Sequence, residues 1–96
     1  DLGLKPLVPP KVLYHGTAAR FLDSIKKSGL HSGNRNHLHL SVDVDTARAV
    51  GSRHGKPAIL EIDCQKMVTE TKIAFYRSKN GVWLVNHVPA KYINFP

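Results

Sequence analysis

Arg35-Asn36-His37-Leu38-His39-Leu40-Ser41 places one guanidinium, two imidazoles and a hydroxyl within seven residues of a 96-residue chain. Leu38 and Leu40 alternate with His37, His39 and Ser41, the period-two pattern of a half-buried strand. One parity enters a core, and the other, with Arg35, faces a cleft. Two chemistries fit that polar row. A His-x-His pair can supply two metal ligands, but no third ligand stands at a convincing spacing and a guanidinium on the same face repels a cation, so no metal is expected. The other chemistry is an anion pocket, with Arg35 gripping a phosphate through two N–H groups while imidazole and Ser41 bond sugar hydroxyls. A half-exposed strand with no ligand also fits the same residues.

The composition sets the outer bounds. Ninety-six residues make one domain with a modest core. Fourteen Lys and Arg against seven Asp and Glu give a formal charge of +7 and a pI near 9.9, which favours an anionic partner such as nucleic acid or a phosphate-rich cofactor. Charge of this kind also suits a non-catalytic module that binds nucleic acid through its backbone. Cys64 is the only cysteine, so no intrachain disulfide can form, and a small half-buried hydrophobe after a strand is a better account of it than a catalytic thiol. No apolar run approaches a membrane span, and the N-terminus lacks the layout of a signal peptide. The expected setting is a cytoplasmic monomer with no membrane contact.

Working outward from the central stretch, residues 1–11 carry three prolines and read as an extended lead-in. Val12-Leu13-Tyr14 reads as a strand ending at His15-Gly16-Thr17. Thr17 suits the N-cap of a helix over Ala18–Ser28, with Phe21, Leu22 and Ile25 on its buried face and Gly29 as its stop. After Ser41, Asp43 or Asp45 caps a second short helix whose end Gly51 loosens. The basic turn Ser52–Lys56 follows, then the strand Pro57–Asp63, whose continuous Ala-Ile-Leu run suggests burial on both faces. Residues 64–72 fit one helical turn near Met67 and a loop. Ala74–Arg77 and Val82–Val85 flank Asn80-Gly81, a strong hairpin signal. A last strand covers Tyr92-Ile93-Asn94. The pattern of six short strands and two helices predicts an α+β domain with a curved or split sheet.

Two further groups are candidates for chemistry. His15-Gly16-Thr17 sits at a predicted strand-to-helix junction, where free N–H groups attract phosphate or a ribose hydroxyl and Gly16 admits a ligand close to the backbone; for the tripeptide alone, an ordinary turn with Thr17 as N-cap is the better account. Arg53-His54-Gly55-Lys56 is either a solvated basic turn or a clamp for a diphosphate.

Taken together, His15-Gly-Thr17, Arg35-x-His-x-His-Leu-Ser41, Val50-Gly-x-Arg-His-Gly-Lys-Pro57 and Ser78-x-Asn-Gly-Val-Trp-Leu84 resemble, in order and spacing, the catalytic lobe of the RNA 2′-phosphotransferases of the KptA family. The resemblance implies an ADP-ribosyltransferase-like split β-sheet that grips NAD, with residues 12–96 as the lobe and 1–11 as a linker. The superfamily's three-residue motif maps onto His15, His39 and an apolar third position, Val82. By the same match Arg35 clamps the RNA phosphate and His39 acts beside it in catalysis; His15, Gly16 and Thr17 hold the ADP-ribose part, His39 and Ser41 the nicotinamide ribose, and Arg53 with His54 the diphosphate or adenosine side. The implied reaction is NAD-dependent removal of an internal 2′-phosphate from RNA, as at a tRNA splice junction. It yields a 2′-hydroxyl, nicotinamide and ADP-ribose 1″,2″-cyclic phosphate. Full-length relatives begin with an RNA-binding lobe that adds an Arg-His pair and another arginine; nothing in residues 1–11 replaces these, so the chain is expected to be the NAD-binding lobe alone, with weakened catalysis. An ADP-ribosyltransferase that modifies nucleic-acid ends or protein would use the same cleft.

Overall fold

The computed structural model describes residues 5–33 and 37–96. In chain order its elements are β1 (Val12–Ala18), α1 (Leu22–Ser28), β2 (Leu30–His31), β3 (Leu38–Leu40), α2 (Val44–Gly51), β4 (Pro57–Asp63), α3 (Cys64–Glu70), β5 (Phe75–Arg77), β6 (Trp83–Val85), β7 (His87–Val88) and β8 (Ile93–Asn94). Short 3-10 turns cover Ala19–Phe21, Ser52–His54 and Ala90–Tyr92. The domain is α+β, and its β structure is divided. One antiparallel sheet has the order β1-β4-β8, a second has β3-β6-β5, and β2 pairs with β7.

The longest pairing organises the rest. β1 and β4 run antiparallel from Val12 opposite Asp63 to Ala18 opposite Pro57. Cross-strand partners share a face, so Leu13, His15 and Thr17 lie on the same side as Ile62, Leu60 and Ala58. The apolar members of that side are buried with Leu40, Met67 and Phe75 in the core. β4 alternates buried and half-buried positions, so one face is core and the other, on the side of α2, is only partly covered, less than its apolar run suggests. Glu61 falls in the half-buried set and bonds Asn94 of β8 at 3.0 Å. The two larger sheets meet where Tyr14 and Ser41 exchange backbone bonds of 2.8 Å. That bridge sets β3 against the middle of β1.

β1 runs four residues beyond the expected strand end. Tyr14 is followed by His15-Gly16-Thr17-Ala18, all still paired with β4. Thr17 is therefore a buried strand residue and not a helix cap. The helical segment begins as a 3-10 turn, and α1 itself starts at Leu22 with no side-chain cap. Tertiary pairing with a seven-residue partner strand outweighs the local capping preference of threonine. Gly29 ends α1 as expected, its N–H bonding Ile25 O at 2.7 Å.

α2 follows its sequence signals more closely. Asp43 is the N-cap, accepting from Thr46 N at 2.8 Å and from the Thr46 hydroxyl at 2.9 Å. The Thr46 N–H group holds the Asp43 carboxyl below its usual range. Gly51 closes the helix for a steric reason. A Cβ on Gly51 would stand 2.6 Å from Thr17 O, and a Cβ on Gly16 would overlap the Ala47 carbonyl oxygen and stand 2.8 Å from Gly51 N. The two glycines let α2 lie directly on the β1 backbone.

Residues 64–70 form a full helix, α3, where one turn was expected. Asp63 caps it through Lys66 N at 3.0 Å, and the Cys64 and Gln65 N–H groups bond Lys11 O. The lead-in is extended but attached, because Leu7 N also bonds Phe75 O at 2.8 Å. The Asn80-Gly81 hairpin joins β5 and β6 as the sequence suggests, with Arg77 opposite Trp83 and Gly81 at φ 82°. β2 and β7, two residues each, have no sequence signal of their own.

Candidate functional site

A cleft of about 500 Å³ opens where β1, β3 and α2 converge, a size in the range of small-ligand sites. His15, Gly16 and Thr17 of β1, His39 of β3 and Ser41 beside it form its floor and one wall. Thr46 and Val50 of α2, Arg53 and His54 of the basic turn, and Val82 of the β5–β6 hairpin complete the part that sequence reasoning had reached or neighboured. All eight positions assigned to ligand binding, His15, Gly16, Thr17, His39, Ser41, Arg53, His54 and Val82, therefore line one cavity. Arg35 lies outside the described residues.

The floor is shaped by strand register. His15 and Thr17 share a parity with buried Leu13, so the β1 face that is core at Leu13 becomes cleft wall two residues later. Gly16, between them, is buried: its backbone lines the cleft, and the space a Cβ would take is filled by α2. The Tyr14–Ser41 bridge brings the end of β3 alongside, and His15 Nδ1 stands 3.0 Å from the His39 carbonyl. A carbonyl can only accept, so Nδ1 carries the proton in that contact and Nε2 is left as an acceptor. Burial pushes the His15 pKa below its ordinary value; the His39 carbonyl opposes that shift and the His39 imidazole adds to it. His15 is thus held neutral with a fixed tautomer.

Val82 owes its place to Ser78. The Ser78 hydroxyl accepts from Val82 N at 3.1 Å and Ser78 N bonds Val82 O at 2.8 Å, closing the hairpin loop around Asn80-Gly81. His37 had no assigned role. It lines the cleft and packs against Tyr76, with ring centroids 5.5 Å apart.

Three lining residues escaped the sequence reading. Phe21 was expected on the buried face of a helix, but the 3-10 turn shifts the phase and leaves it 42% exposed at the cleft. His31 and Ser32 were read as polar loop and also line it. His31 donates from Nε2 to Ser28 O at 2.7 Å and stacks on His87 at 5.4 Å. A compositional signal was present, because five of the chain's six histidines line this cavity.

No carboxylate lines the cleft among the described residues, while imidazoles, a guanidinium, two hydroxyls of threonine, two of serine and the backbone of Gly16 do. Also among the described residues, no group of three or more His, Cys, Asp or Glu is placed to hold a metal ion. Such a cavity suits a ligand that presents phosphate and sugar hydroxyls.

Fold and cleft together define an α+β domain with a cleft lined by imidazoles, hydroxyls and a guanidinium. The family model for RNA 2′-phosphotransferases, Tpt1 / KptA family, matches residues 2–87. The chain is 60% identical over 92 residues, 96% of its length, to a probable RNA 2′-phosphotransferase of Acaryochloris marina (strain MBIC 11017). It is 54% identical over 94 residues to the similarly named protein of Hahella chejuensis (strain KCTC 2396), 98% of its length. The chain belongs to the Tpt1 / KptA RNA 2′-phosphotransferase family. It spans about half the length of these two relatives, 50% of each.

Proposed function

We propose that this chain is the NAD-binding lobe of an RNA 2′-phosphotransferase and that its cleft holds NAD beside the 2′-phosphate of an RNA. The observation that carries the reading is that eight positions chosen by motif, scattered from His15 to Val82, line one cavity that has no carboxylate among the described residues, in a chain of this family.

The donor set fits the dinucleotide. Thr17 and Ser41 offer hydroxyls, Gly16 adds backbone to the lining, and Arg53 with His54 counter a diphosphate. His15, neutral and with Nε2 free to accept, suits a ribose hydroxyl. NAD supplies an ADP-ribosyl group whose bond to nicotinamide is broken by the RNA 2′-phosphate. The ribose 2″-hydroxyl then displaces the RNA 2′-oxygen from phosphorus, giving ADP-ribose 1″,2″-cyclic phosphate and a free RNA 2′-hydroxyl.

The chain's own part is orientation and charge. Arg35 is assigned to clamp the 2′-phosphate and offset its charge in both steps. His39 and Ser41 orient the nicotinamide ribose. Val82 keeps a carboxylate out of the position nearest the attacking anion, where a glutamate would repel it. Further arginines for the RNA phosphate belong, in this proposal, to the half of the relatives' length that this chain does not span. The proposed setting is the cytoplasm.

Incubation of the chain with labelled NAD and a 2′-phosphorylated oligoribonucleotide tests the transfer. Label appearing in a small cyclic phosphate, with loss of that product in Arg35→Ala, is the expected result. Label that stays on the polymer would overturn it in favour of plain ADP-ribosylation.

A further inference from the structure

Phe21 is 42% exposed and is the only phenylalanine, tyrosine or tryptophan among the described residues that line the cleft. Its surroundings hold it in place. The Arg20 guanidinium carbon lies 4.5 Å from the Phe21 ring centroid, and Arg20 Nη1 donates to the His54 carbonyl. Gly55 leaves the space for this contact, since a Cβ there would stand 2.8 Å from Arg20 Nη1. One guanidinium thus ties the ring to the Arg53-His54 turn at the same end of the cleft.

An apolar ring left open beside imidazoles and hydroxyls has no packing role that explains its exposure. A ring with a cation over one face, its exposed remainder bordering a polar cavity, is a stacking surface for a flat heteroaromatic group. His15 and His39 lie against each other through the 3.0 Å contact, whereas Phe21 is joined through Arg20 to the turn of His54. With the diphosphate at the Arg53-His54 turn, as the NAD reading has it, a base at Phe21 would be the one on the diphosphate's side of the cleft.

We propose that Phe21 is the stacking seat for the adenine end of the dinucleotide, and that Arg20 is a positioning residue holding the ring and the Arg53-His54 turn together. This assignment rests on the NAD reading above. It names which base meets which wall.

Calorimetric titration of ADP-ribose and of nicotinamide mononucleotide into wild type, Phe21→Ala, Phe21→Trp and Arg20→Lys tests it. Stacking of a base on an aromatic ring predicts a loss of about tenfold or more in ADP-ribose affinity for Phe21→Ala. Nicotinamide mononucleotide affinity should stay unchanged, and Phe21→Trp should keep the wild-type ADP-ribose affinity. Arg20→Lys, which loses the planar fork, should weaken ADP-ribose selectively as well. Equal loss for both ligands, or wild-type ADP-ribose binding by Phe21→Ala, overturns the proposal and leaves the NAD reading standing. Failure of the folded wild type to bind either ligand overturns both. Because Phe21 lies outside the buried core, each variant should melt near wild type.

Discussion

His15 shows how one side chain's chemistry is set by its neighbours. Half-buried in the cleft floor with Nδ1 held by the His39 carbonyl, it has a folded pKa below its ordinary 6.5. The unfolded chain takes up that proton more readily, so the stability that neutral His15 contributes is present above about pH 6.5 and is lost as pH falls through the folded value. Melting temperature followed from about pH 7 down to 5 should fall more steeply for wild type than for His15→Gln; parallel slopes would contradict the burial account. Cys64 gives a second prediction. It is fully buried and burial pushes its thiol up to about 12. In the native protein it should not react with a thiol reagent at neutral pH, and should react fully once unfolded; fast native labelling would contradict this. Cys64 was legible from sequence because a lone cysteine after a strand has few options. The tautomer of His15 was not, because a carbonyl 24 positions away sets it.

The elements that sequence located best are those whose signals are local. Asp43 with Thr46 gave the start of α2, and Asn80-Gly81 gave the hairpin that carries Val82. The misplaced boundary, at Thr17, came from a competition that local rules do not register: β4 extends the pairing to Ala18, so the capping residue is used as strand. That error displaced Phe21 from the core to the cleft. Gly16 and Gly51 were legible as breaks in pattern, but their joint role became visible only when β1 and α2 were set against each other. Gly16→Ala should destabilise the domain by about 3 kcal/mol or more, as expected for forced overpacking against backbone. Thermal or urea unfolding measures it, and a stability within about 0.5 kcal/mol of wild type would contradict the close packing of α2 on β1.

At the scale of the whole molecule, a divided β structure brings four separate motifs to one cavity. The Tyr14–Ser41 bridge joins the sheets, the Gly16–Gly51 contact seats α2, and Ser78 fixes the hairpin loop at Val82. Each motif alone fits an ordinary turn or strand, and their convergence is what separates a site from a scatter of polar residues. The formal charge of +7 fits a partner rich in phosphate but would fit a plain nucleic-acid binder as well. Calorimetric titration of NAD into the 96-residue chain and into His39→Ala distinguishes these accounts. The account predicts saturable one-to-one binding that His39→Ala weakens by about tenfold or more, as for a lost hydrogen bond to a ligand hydroxyl. No saturable binding by the folded chain, or equal affinity in His39→Ala, would contradict it.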